Sequence, residues 1–389
     1  MDHDLIIVGG GIAGSAAALR AAQNGMSALW IRGTRTDHKR SRGHWVVNID
    51  NMIGVHEGIV RGKVERLFAR GTDHAGARDL LAAQGPFHIS TRDVIANVVE
   101  RVEAEFADRV TLHEATCTAA RRVAGEGFEV DAEGGPFRAP ALLLATGVMD
   151  RQPSILKDHR GTTSDDIKWI YPAANREQVL YCIRCEGHLT RGERAGVIGS
   201  GEPAAGIAMM LHERYGSTEV ILTNGEEPTW SERSAAVLTA YGVEVCRERI
   251  VEVGSERAGL RSITLEGGRT IELRFALVSL GLYRVYNDLA RSLGADLADE
   301  GRPDELRHVR IDSRGETTAP DLFAVGDMTS RDDEPVMKQV YTCQEYAVRA
   351  VDEIDRRRRA ALREAALSAG RVDPGDEPAP GTGAPASAS

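Results

Sequence analysis

The fold of this chain can be inferred first from residues near its N-terminus, Asp4-Leu5-Ile6-Ile7-Val8-Gly9-Gly10-Gly11-Ile12-Ala13-Gly14. Its first five residues are nearly all apolar, which is typical of a strand buried on both faces in a parallel sheet. Glycines follow at the Gly-x-Gly-x-x-Gly spacing. An Ala-rich segment then predicts a helix over 15–24 that ends at Gly25, and residues 28–31 predict the next strand. The pattern predicts a strand–glycine turn–helix–strand unit.

The three spaced glycines have separate physical roles in such a turn. Gly9 allows the sharp bend, Gly11 leaves bare backbone that a pyrophosphate can approach, and Gly14 brings the helix close to the strand. The sequence therefore predicts dinucleotide binding here. Arg32 ends the second strand, where a ribose-binding carboxylate is usual, and an arginine there would favour a 2′-phosphate. That alternative ranks lower because of a motif near the C-terminus, described below.

The same order of elements returns later in the chain. A strand at 195–198 leads into Gly199-Ser200-Gly201-Glu202-Pro203-Ala204, followed by a helix at 205–215 and a strand at 219–222. Gly199 stands 190 positions after Gly9 (199 − 9), so one unit of architecture is duplicated. Antiparallel signals lie between these landmarks, as a β-meander over 128–139 and a tight hairpin over 263–273. We expect an α/β chain with two parallel, Rossmann-like sheets plus β-meanders.

The ligand of the second turn, at Gly199 and Gly201, is open from the sequence. Its Gly-x-Gly-x-x-Ala form is used for nicotinamide dinucleotides, and NADPH needs a cationic clamp for its 2′-phosphate after the following strand. This chain has Thr223-Asn224-Gly225-Glu226-Glu227-Pro228 at that place, and two carboxylates would repel the phosphate. NADPH, NAD and a degenerate fold without nucleotide are the three interpretations.

Composition limits the class of protein. The 389 residues suggest two or three domains of about 150 residues each. Hydrophobic residues make up 42%, which allows a sizeable core and argues against a disordered or fibrous chain. Lys plus Arg total 48 and Asp plus Glu 58, and the resulting charge of −10 argues against general nucleic-acid binding. No apolar run approaches the about 18 residues that span a bilayer, so no membrane association is expected.

The N-terminus and the cysteine content predict the cellular location of the protein, and the C-terminus predicts a disordered segment. The start, Met1-Asp2-His3-Asp4, lacks the basic residues of a secretory signal, and five cysteines are too few, and odd in number, for a secreted disulfide framework. We expect a soluble cytoplasmic protein. Residues 370–389 consist mainly of Pro, Gly, Ala and Ser and predict a disordered tail.

A dithiol motif, Tyr181-Cys182-Ile183-Arg184-Cys185-Glu186-Gly187-His188, precedes the second glycine turn. A CxxC pair can be a structural zinc ligand, a redox pair or two free thiols. Zinc usually needs four ligands, and the other cysteines are isolated, namely Cys117, Cys246 and Cys343. The redox interpretation explains more, because two sulfurs three residues apart at a helix start can close a disulfide while the helix dipole and Arg184 lower a thiol pKa. No metal site is predicted.

Two further motifs give the chain a family resemblance. Asp321-Leu322-Phe323-Ala324-Val325-Gly326-Asp327 is a short strand that ends in Gly-Asp, and Ala145-Thr146-Gly147 closes an apolar strand. Together with the N-terminal turn, they make the chain similar to the two-dinucleotide-fold flavoprotein disulfide reductases, over about residues 3 to 350. The resemblance implies that Gly326 and Asp327 bind FAD, with the aspartate on its ribityl chain, and that Thr146 and Gly147 end the first portion of the flavin domain.

CxxC-acid-Gly before the second turn resembles the low-molecular-weight thioredoxin reductases, and the loop 48–58 matches their flavin-side loop loosely. The resemblance implies that Cys185 faces flavin C4a as the charge-transfer thiolate, that Cys182 is the interchange thiol, and that Glu186 is its proton donor and acceptor. His188 is an extra candidate base. Lys338-Gln339 matches a pair that contacts the flavin ring. Cys343 is expected to be a small packed residue.

The resemblance also implies a domain organisation and a set of partners. Residues 1–150 and 284–369 would form the FAD-binding domain, and 151–283 an inserted NAD(P)-binding-like domain that carries the CxxC. The expected protein is a homodimeric, FAD-dependent thiol–disulfide oxidoreductase that acts on a thioredoxin-like protein or a small-molecule disulfide or dithiol, with NAD(P)H doubtful.

The missing arginine clamp and a long segment between Gly147 and Cys182 indicate a divergent member and keep several alternatives open. One is an O₂-dependent dithiol oxidase of a small metabolite, and another is a disulfide reductase that takes electrons from a ferredoxin-type donor. A redox-sensing flavoprotein and an NADPH-linked flavoprotein without dithiol chemistry are the others.

Overall fold

A computed structural model of the chain describes residues 2–46, 49, 51–54, 89–159, 162–174, 176–256 and 259–369. The tail at 370–389 lies outside the described residues, as does most of the loop 48–58. Within the described ranges, no helix combines the length and the apolar character needed to cross a membrane.

The helices of these ranges are distributed along the whole described chain. They are α1 (Ile12–Gln23), α2 (Arg35–Lys39), α3 (Arg42–Trp45), α4 (Thr91–Glu105), α5 (Ile170–Ala174), α6 (Ile183–Glu186), α7 (Glu202–Tyr215), α8 (Glu232–Ala240), α9 (Asp288–Ser292) and α10 (Val340–Ser368). Short 3₁₀ turns lie at Gly187–Thr190 and Asp304–Leu306.

The strands are mostly short. In the first half of the chain they are β1 (Leu5–Val8), β2 (Ala28–Ile31), β3 (Val110–His113), β4 (Ala119–Val123), β5 (Gly127–Asp131), β6 (Phe137–Ala139), β7 (Ala141–Leu144), β8 (Val148–Asp150), β9 (Ile155–His159), β10 (Thr162–Asp166) and β11 (Val179–Leu180). In the second half they are β12 (Arg194–Ile198), β13 (Thr218–Leu222), β14 (Glu244–Cys246), β15 (Ile250–Glu256), β16 (Gly259–Leu265), β17 (Thr270–Glu272), β18 (Phe275–Val278), β19 (Leu282–Val285), β20 (Val309–Arg310), β21 (Leu322–Ala324) and β22 (Thr329–Ser330).

The first parallel sheet contains the N-terminal strand at its centre. Its order is β21-β7-β1-β2-β3, and Ile7 pairs with Trp30 on one side and Leu143 on the other. All residues of β1, β2 and β7 are buried, as their apolar runs predicted. Helix α1 packs on this sheet and ends before Gly25, whose φ of +67° is the left-handed geometry that glycine favours.

The second parallel sheet repeats the arrangement. Its order is β11-β18-β12-β13-β14, and α7 follows β12 as α1 follows β1. Helix α7 ends at Gly216, which has φ +59°. The predicted meander is β4-β5-β6, and the predicted hairpin is β16–β17 within the sheet β15-β16-β17. The predicted fold class is therefore confirmed.

The chain passes between the two sheets through a pair of short strands. Strand β8 leads away from the first sheet and β19 returns to it, and the two pair antiparallel with Val148 opposite Val285. Strands β9 and β10 form a hairpin just after β8. The expected domain boundaries, at 150/151 and 283/284, fall at this crossing and stay a prediction.

The long helix α10 packs against α1 and carries a run of arginines, 356–359. Such a basic run late in a helix commonly forms a solvated face, but two of these arginines bind acids of other elements. Arg357 pairs with Glu316, and Arg358 with Asp4 at 3.0 Å. These ion pairs therefore anchor α10 to residues beside the first parallel sheet.

Glu353 is the central acid of this helix face. Its side chain is 5% exposed and contacts Arg356, Arg357 and Arg314, the last two at 2.8 Å. The hydrogen bond from the Arg356 guanidinium is the main cause that lowers the pKa of Glu353 to about 2, and Arg357 and Arg314 lower it further. Desolvation of the carboxylate acts in the opposite direction. A carboxyl group whose pKa falls on folding stabilises the native state above its unfolded pKa of 4.5, and this contribution is lost as the pH falls toward about 2.

Replacing Glu353 with glutamine is expected to lower the free energy of unfolding at pH 7 by about 2 kcal/mol, reduced from the full linkage value because the arginines are partly solvated. The difference between wild type and variant should shrink as the pH falls from 4.5 to about 2. Urea unfolding at several pH values measures it. Glu345→Gln, in an exposed pair with Arg349, is the control and should change stability by less than about 0.5 kcal/mol. A pH-independent difference would contradict the assignment.

Candidate active site

The first glycine turn forms a backbone cradle at the carboxyl end of β1. Gly9 has φ +131°, and a Cβ there would clash with the carbonyl oxygen of Ala145 at the end of β7. A Cβ on Gly14 would clash with the carbonyl oxygen of Gly9, so α1 lies directly against the turn. By contrast, a Cβ on Gly11 would meet nothing within 4 Å. The cradle is open at the one glycine where a phosphate has to approach.

Residues of two neighbouring strands meet at this cradle. Gly147 has φ +72° after β7, and Gly326, with φ +82° after β21, lies against Ala13 of α1. Thr146 donates its hydroxyl to the carbonyl oxygen of Tyr286 at 2.6 Å. Because β1, β7 and β21 are adjacent and parallel, their carboxyl ends bring the three predicted FAD motifs together.

An arginine from α3 connects this edge with the crossing strands. Arg42 donates to Asp150 at 2.8 Å through Nε and to the predicted flavin residue Asp327 at 2.7 Å. Burial disfavours the charged guanidinium, but the Asp150 and Asp327 carboxylates raise the pKa of Arg42 well above its usual range. Burial and the neighbouring Asp327 also raise the pKa of the Cys343 thiol, as suits a packed residue rather than a reactive one.

The residues at the first turn fit a dinucleotide such as FAD. The N-terminus of α1 carries no acidic residue in its first turn, so a pyrophosphate would meet backbone N–H groups without repulsion. Arg32 lies at the end of β2 with its guanidinium over the Trp30 ring, and its Nε is buried without a hydrogen-bond partner. A ribose hydroxyl is an acceptor that would satisfy this donor.

The dithiol of the CxxC motif is closed as a disulfide at the start of α6. Cys182 is the N-cap residue, and its sulfur accepts from the Cys185 N–H at 3.2 Å. Cys185 is 9% exposed, whereas Cys182 is half-buried. The closed disulfide is the arrangement that the redox interpretation predicts. No group of three or more candidate metal ligands occurs in the part of the chain that the structure describes.

The disulfide lies against residues predicted to belong to the flavin side. Gln339, the N-cap residue of α10, has its Nε2 3.6 Å from the Cys182 sulfur and its Oε1 3.5 Å from the Cys185 sulfur. Asn51 donates to Gln339 Oε1 at 2.6 Å and lies 3.7 Å from the Cys185 sulfur. Lys338 instead turns away and donates to the carbonyl oxygen of Thr329. Gln339 and Asn51 thus join the CxxC segment to the loop and helix of the first sheet.

The two predicted acid–base residues differ in their surroundings. Glu186 is buried, and its Oε2 accepts from the backbone N–H groups of Tyr181 and Cys182 at 2.9 and 3.1 Å. It therefore orders the backbone at Tyr181 and Cys182. His188 lies exposed on the 3₁₀ turn that follows.

The second glycine turn differs from the first in what surrounds it. A Cβ on Gly199 would clash with the carbonyl oxygen of Ser279, as the close approach of strand ends requires, and Gly201 is the N-cap residue of α7. Here, however, the Ser200 hydroxyl donates to the Glu226 carboxylate at 2.7 Å. The sequence motif is present, but an acidic side chain reaches its middle residue.

Arg42 and its partner Asp150 were not identified as site residues from the sequence. No local spacing signals them, because Arg42 lies 108 positions from Asp150 and 285 from Asp327. Asn51 lies in the loosely matching loop, but its contact with Gln339 spans 288 positions.

A family model described as pyridine nucleotide-disulphide oxidoreductase matches residues 3–347. The chain belongs to this family. Its members are FAD-binding oxidoreductases, with NAD(P)H as the usual partner cofactor. The predicted family, fold class, enzyme class and FAD cofactor are therefore confirmed.

Named relatives extend this finding. The chain is 26% identical over 334 residues to alkyl hydroperoxide reductase F of Pseudomonas aeruginosa, covering 84% of this chain and 53% of that protein. It is 23% identical over 282 residues to thioredoxin reductase tcpT of Claviceps purpurea, covering 69% and 71%. The chain thus spans about half the length of the alkyl hydroperoxide reductase proteins that it matches.

A solved structure supports the fold. Thioredoxin reductase from Streptococcus pyogenes superposes with a TM-score of 0.66 at 17% identity, covering 90% of this chain and 96% of that one. At this identity the likeness shows the two-sheet architecture alone.

Proposed function

We propose that this flavoenzyme passes electrons between FAD and the Cys182–Cys185 pair, and then between Cys182 and an external disulfide or dithiol. The observation that carries the proposal is the contact of the disulfide with Gln339 and Asn51, 3.5 and 3.7 Å from the Cys185 sulfur. The family resemblance implies that Gln339 contacts the flavin ring. A disulfide at that position would be within reach of the cofactor that the family binds.

The different burial of the two sulfurs supports a division of roles. An external dithiol attacks the half-buried Cys182 sulfur, the Cys182–Cys185 bond breaks, and a mixed disulfide forms with Cys185 as the leaving thiolate. The second thiol of the external molecule then attacks the external sulfur of the mixed disulfide, and Cys182 is released as a thiolate. The external molecule leaves as a disulfide, and the chain keeps the two electrons as a dithiol. Reduction of an external disulfide is the same sequence in reverse.

Bound FAD supplies a two-electron acceptor or donor for this pair. The chain's own residues hold the pair in position: Gln339 contacts both sulfurs, Asn51 orients Gln339, and Glu186 orders the backbone at Cys182. A proton released or taken up at Cys182 needs an acid or base, and we assign this to Glu186, with His188 as the exposed alternative.

The cofactor-binding roles stay part of this proposal. They fall on one edge of the first sheet, where Gly9, Gly11 and Gly14 would receive the FAD pyrophosphate and Asp327 the ribityl chain. Thr146, Gly147 and Gly326 would shape the same edge. A thioredoxin-like protein or a small-molecule disulfide or dithiol is the proposed partner, and the homodimer stays a prediction.

Anaerobic reduction of the FAD-loaded protein with dithionite tests this function. The titration should consume four electrons per chain, two for the disulfide and two for the flavin, and free thiols should rise by two per chain. Dithiothreitol should bleach the flavin absorbance of the same preparation. Consumption of two electrons, with the disulfide unchanged, would show that the sulfurs are not redox-active and would end the proposal.

A further inference from the structure

A segment after β13 lies across the second glycine turn. We define the strap as residues 226–234. Its backbone is fixed to the turn by the Thr229 N–H, which donates to the carbonyl oxygen of Ser200 at 2.8 Å. Its side chain at Glu226 accepts from the Ser200 hydroxyl at 2.7 Å. Backbone and side-chain contacts therefore hold the strap over the residues that would receive a pyrophosphate.

The two glycine turns can be compared at the same motif position. Above Gly11 a Cβ would meet nothing within 4 Å, so the first turn is open. Above Gly201 a Cβ would lie 3.4 Å from Pro203 Cδ and 3.8 Å from the Thr229 hydroxyl oxygen of the strap. The second turn is therefore bordered by Pro203 and by the strap at the position where the first turn is open.

A carboxylate at the start of α7 accepts hydrogen bonds from the strap. Glu202, the first residue of that helix, accepts from the Ser231 N–H at 2.7 Å and from the Ser234 hydroxyl. These hydrogen bonds lower the pKa of Glu202, so the side chain is ionised at neutral pH. In the first turn, α1 has no acidic residue at this position. Two ionised phosphates would meet the negative charges of Glu202 and Glu226 at once.

Two arginines near the strap are already paired with its carboxylates. Arg151 lies 3.3 Å from Glu226, and Arg247 lies 3.2 Å from Glu227. A 2′-phosphate would have to displace a carboxylate from either arginine. The second turn is therefore unfavourable both for the pyrophosphate of a nicotinamide dinucleotide and for the 2′-phosphate of NADPH.

We propose that the strap closes the second glycine turn to NADPH and NADH, so that the nicotinamide cofactor usual in this family has no site there. The inference rests on the proposed function and deepens it. Without a nicotinamide site, thiol exchange at Cys182 is the proposed route by which electrons reach the flavin. In this view the strap, through Glu226 and Thr229, takes the place of the nucleotide rather than binding it.

Calorimetric titration of the FAD-loaded protein with NADPH and with NADH tests the inference. Neither nucleotide should show saturable binding up to about 1 mM. In a parallel anaerobic experiment, both should leave the flavin absorbance unchanged while dithiothreitol bleaches it. Saturable binding of either nucleotide with a Kd below about 1 mM overturns the inference. If dithiothreitol also fails, the proposed thiol–flavin function fails, while the exclusion of nucleotides stands.

A double variant, Glu226→Ala with Thr229→Gly, opens the strap and should gain saturable NADH binding, at least tenfold tighter than the wild-type limit. Glu227→Ala is the matched control, because this neighbouring carboxylate is 81% exposed and pairs with Arg247 away from Ser200. The control should gain no NADH binding, because NADH carries no 2′-phosphate for the freed Arg247. A folded, FAD-loaded double variant that still does not bind NADH contradicts the role of the strap, and so does equal gain in the control.

Discussion

Serine at either Cys182 or Cys185 is expected to reduce the rate of flavin bleaching by dithiothreitol by about a thousandfold or more, because each sulfur is needed for a different step. Without Cys182 the external thiol has no half-buried sulfur to attack. Without Cys185, Cys182 is a single thiol with no Cys182–Cys185 bond for the external thiol to break, and no second sulfur lies against Gln339 to pass the electron pair on. Stopped-flow absorbance under anaerobic conditions measures the rate.

The two single variants should differ in the reactivity of the thiol that remains. Cys182 in the Cys185→Ser protein should be alkylated by iodoacetamide faster than Cys185 in the Cys182→Ser protein, because Cys185 is only 9% exposed. Mass spectrometry of the labelled peptide measures both rates. Faster labelling of Cys185 would exchange the assigned roles of interchange and flavin-side thiol.

Controls separate chemistry from folding. Cys117→Ser changes a sulfur whose described contact is the carbonyl oxygen of Ala119, and it should bleach at the wild-type rate. Dithionite should bleach the flavin in all variants. Unchanged bleaching in the Cys182→Ser and Cys185→Ser proteins would mean that thiols reduce the flavin without this pair.

Features that depend on neighbours in sequence could be predicted. The apolar runs of β1, β2 and β12 become buried strands because a strand between two others has no polar face. Gly25 and Gly216 end their helices in left-handed geometry, which few other residues adopt. The CxxC spacing predicted a helix start and a disulfide, and both occur at Cys182.

Features that depend on distant pairing could not be predicted. The residue that contacts both sulfurs, Gln339, lies 157 positions from Cys182, and only the family resemblance pointed to it. Similarly, the sequence indicated that Glu226 would repel a phosphate, but not that its carboxylate reaches Ser200. The arginines were the hardest residues to interpret from the sequence, because the ion pair between Arg357 and Glu316 forms only when the fold brings the two side chains together.

A methyl group at Gly11 is expected to remove FAD without unfolding the protein. Gly11 has φ −83° and ψ −172°, extended geometry that any residue adopts, and a Cβ there meets nothing within 4 Å. The apoprotein should therefore be as stable as wild type, or more stable by a few tenths of a kcal/mol. The same methyl group would stand between the bare backbone and the FAD pyrophosphate, so FAD affinity should fall by about a hundredfold.

The flavin-to-protein absorbance ratio after gel filtration and a fluorescence titration of apoprotein with FAD measure the loss, and thermal unfolding of the apoprotein measures the fold. Gly201→Ala is the matched control, since it adds the same atom at the same motif position of the second turn, in ordinary contact with Pro203. It should keep the wild-type flavin ratio. Retention of FAD by Gly11→Ala would mean that the flavin pyrophosphate does not approach this backbone, and the cradle would then have to be assigned to a different part of the cofactor or to another ligand.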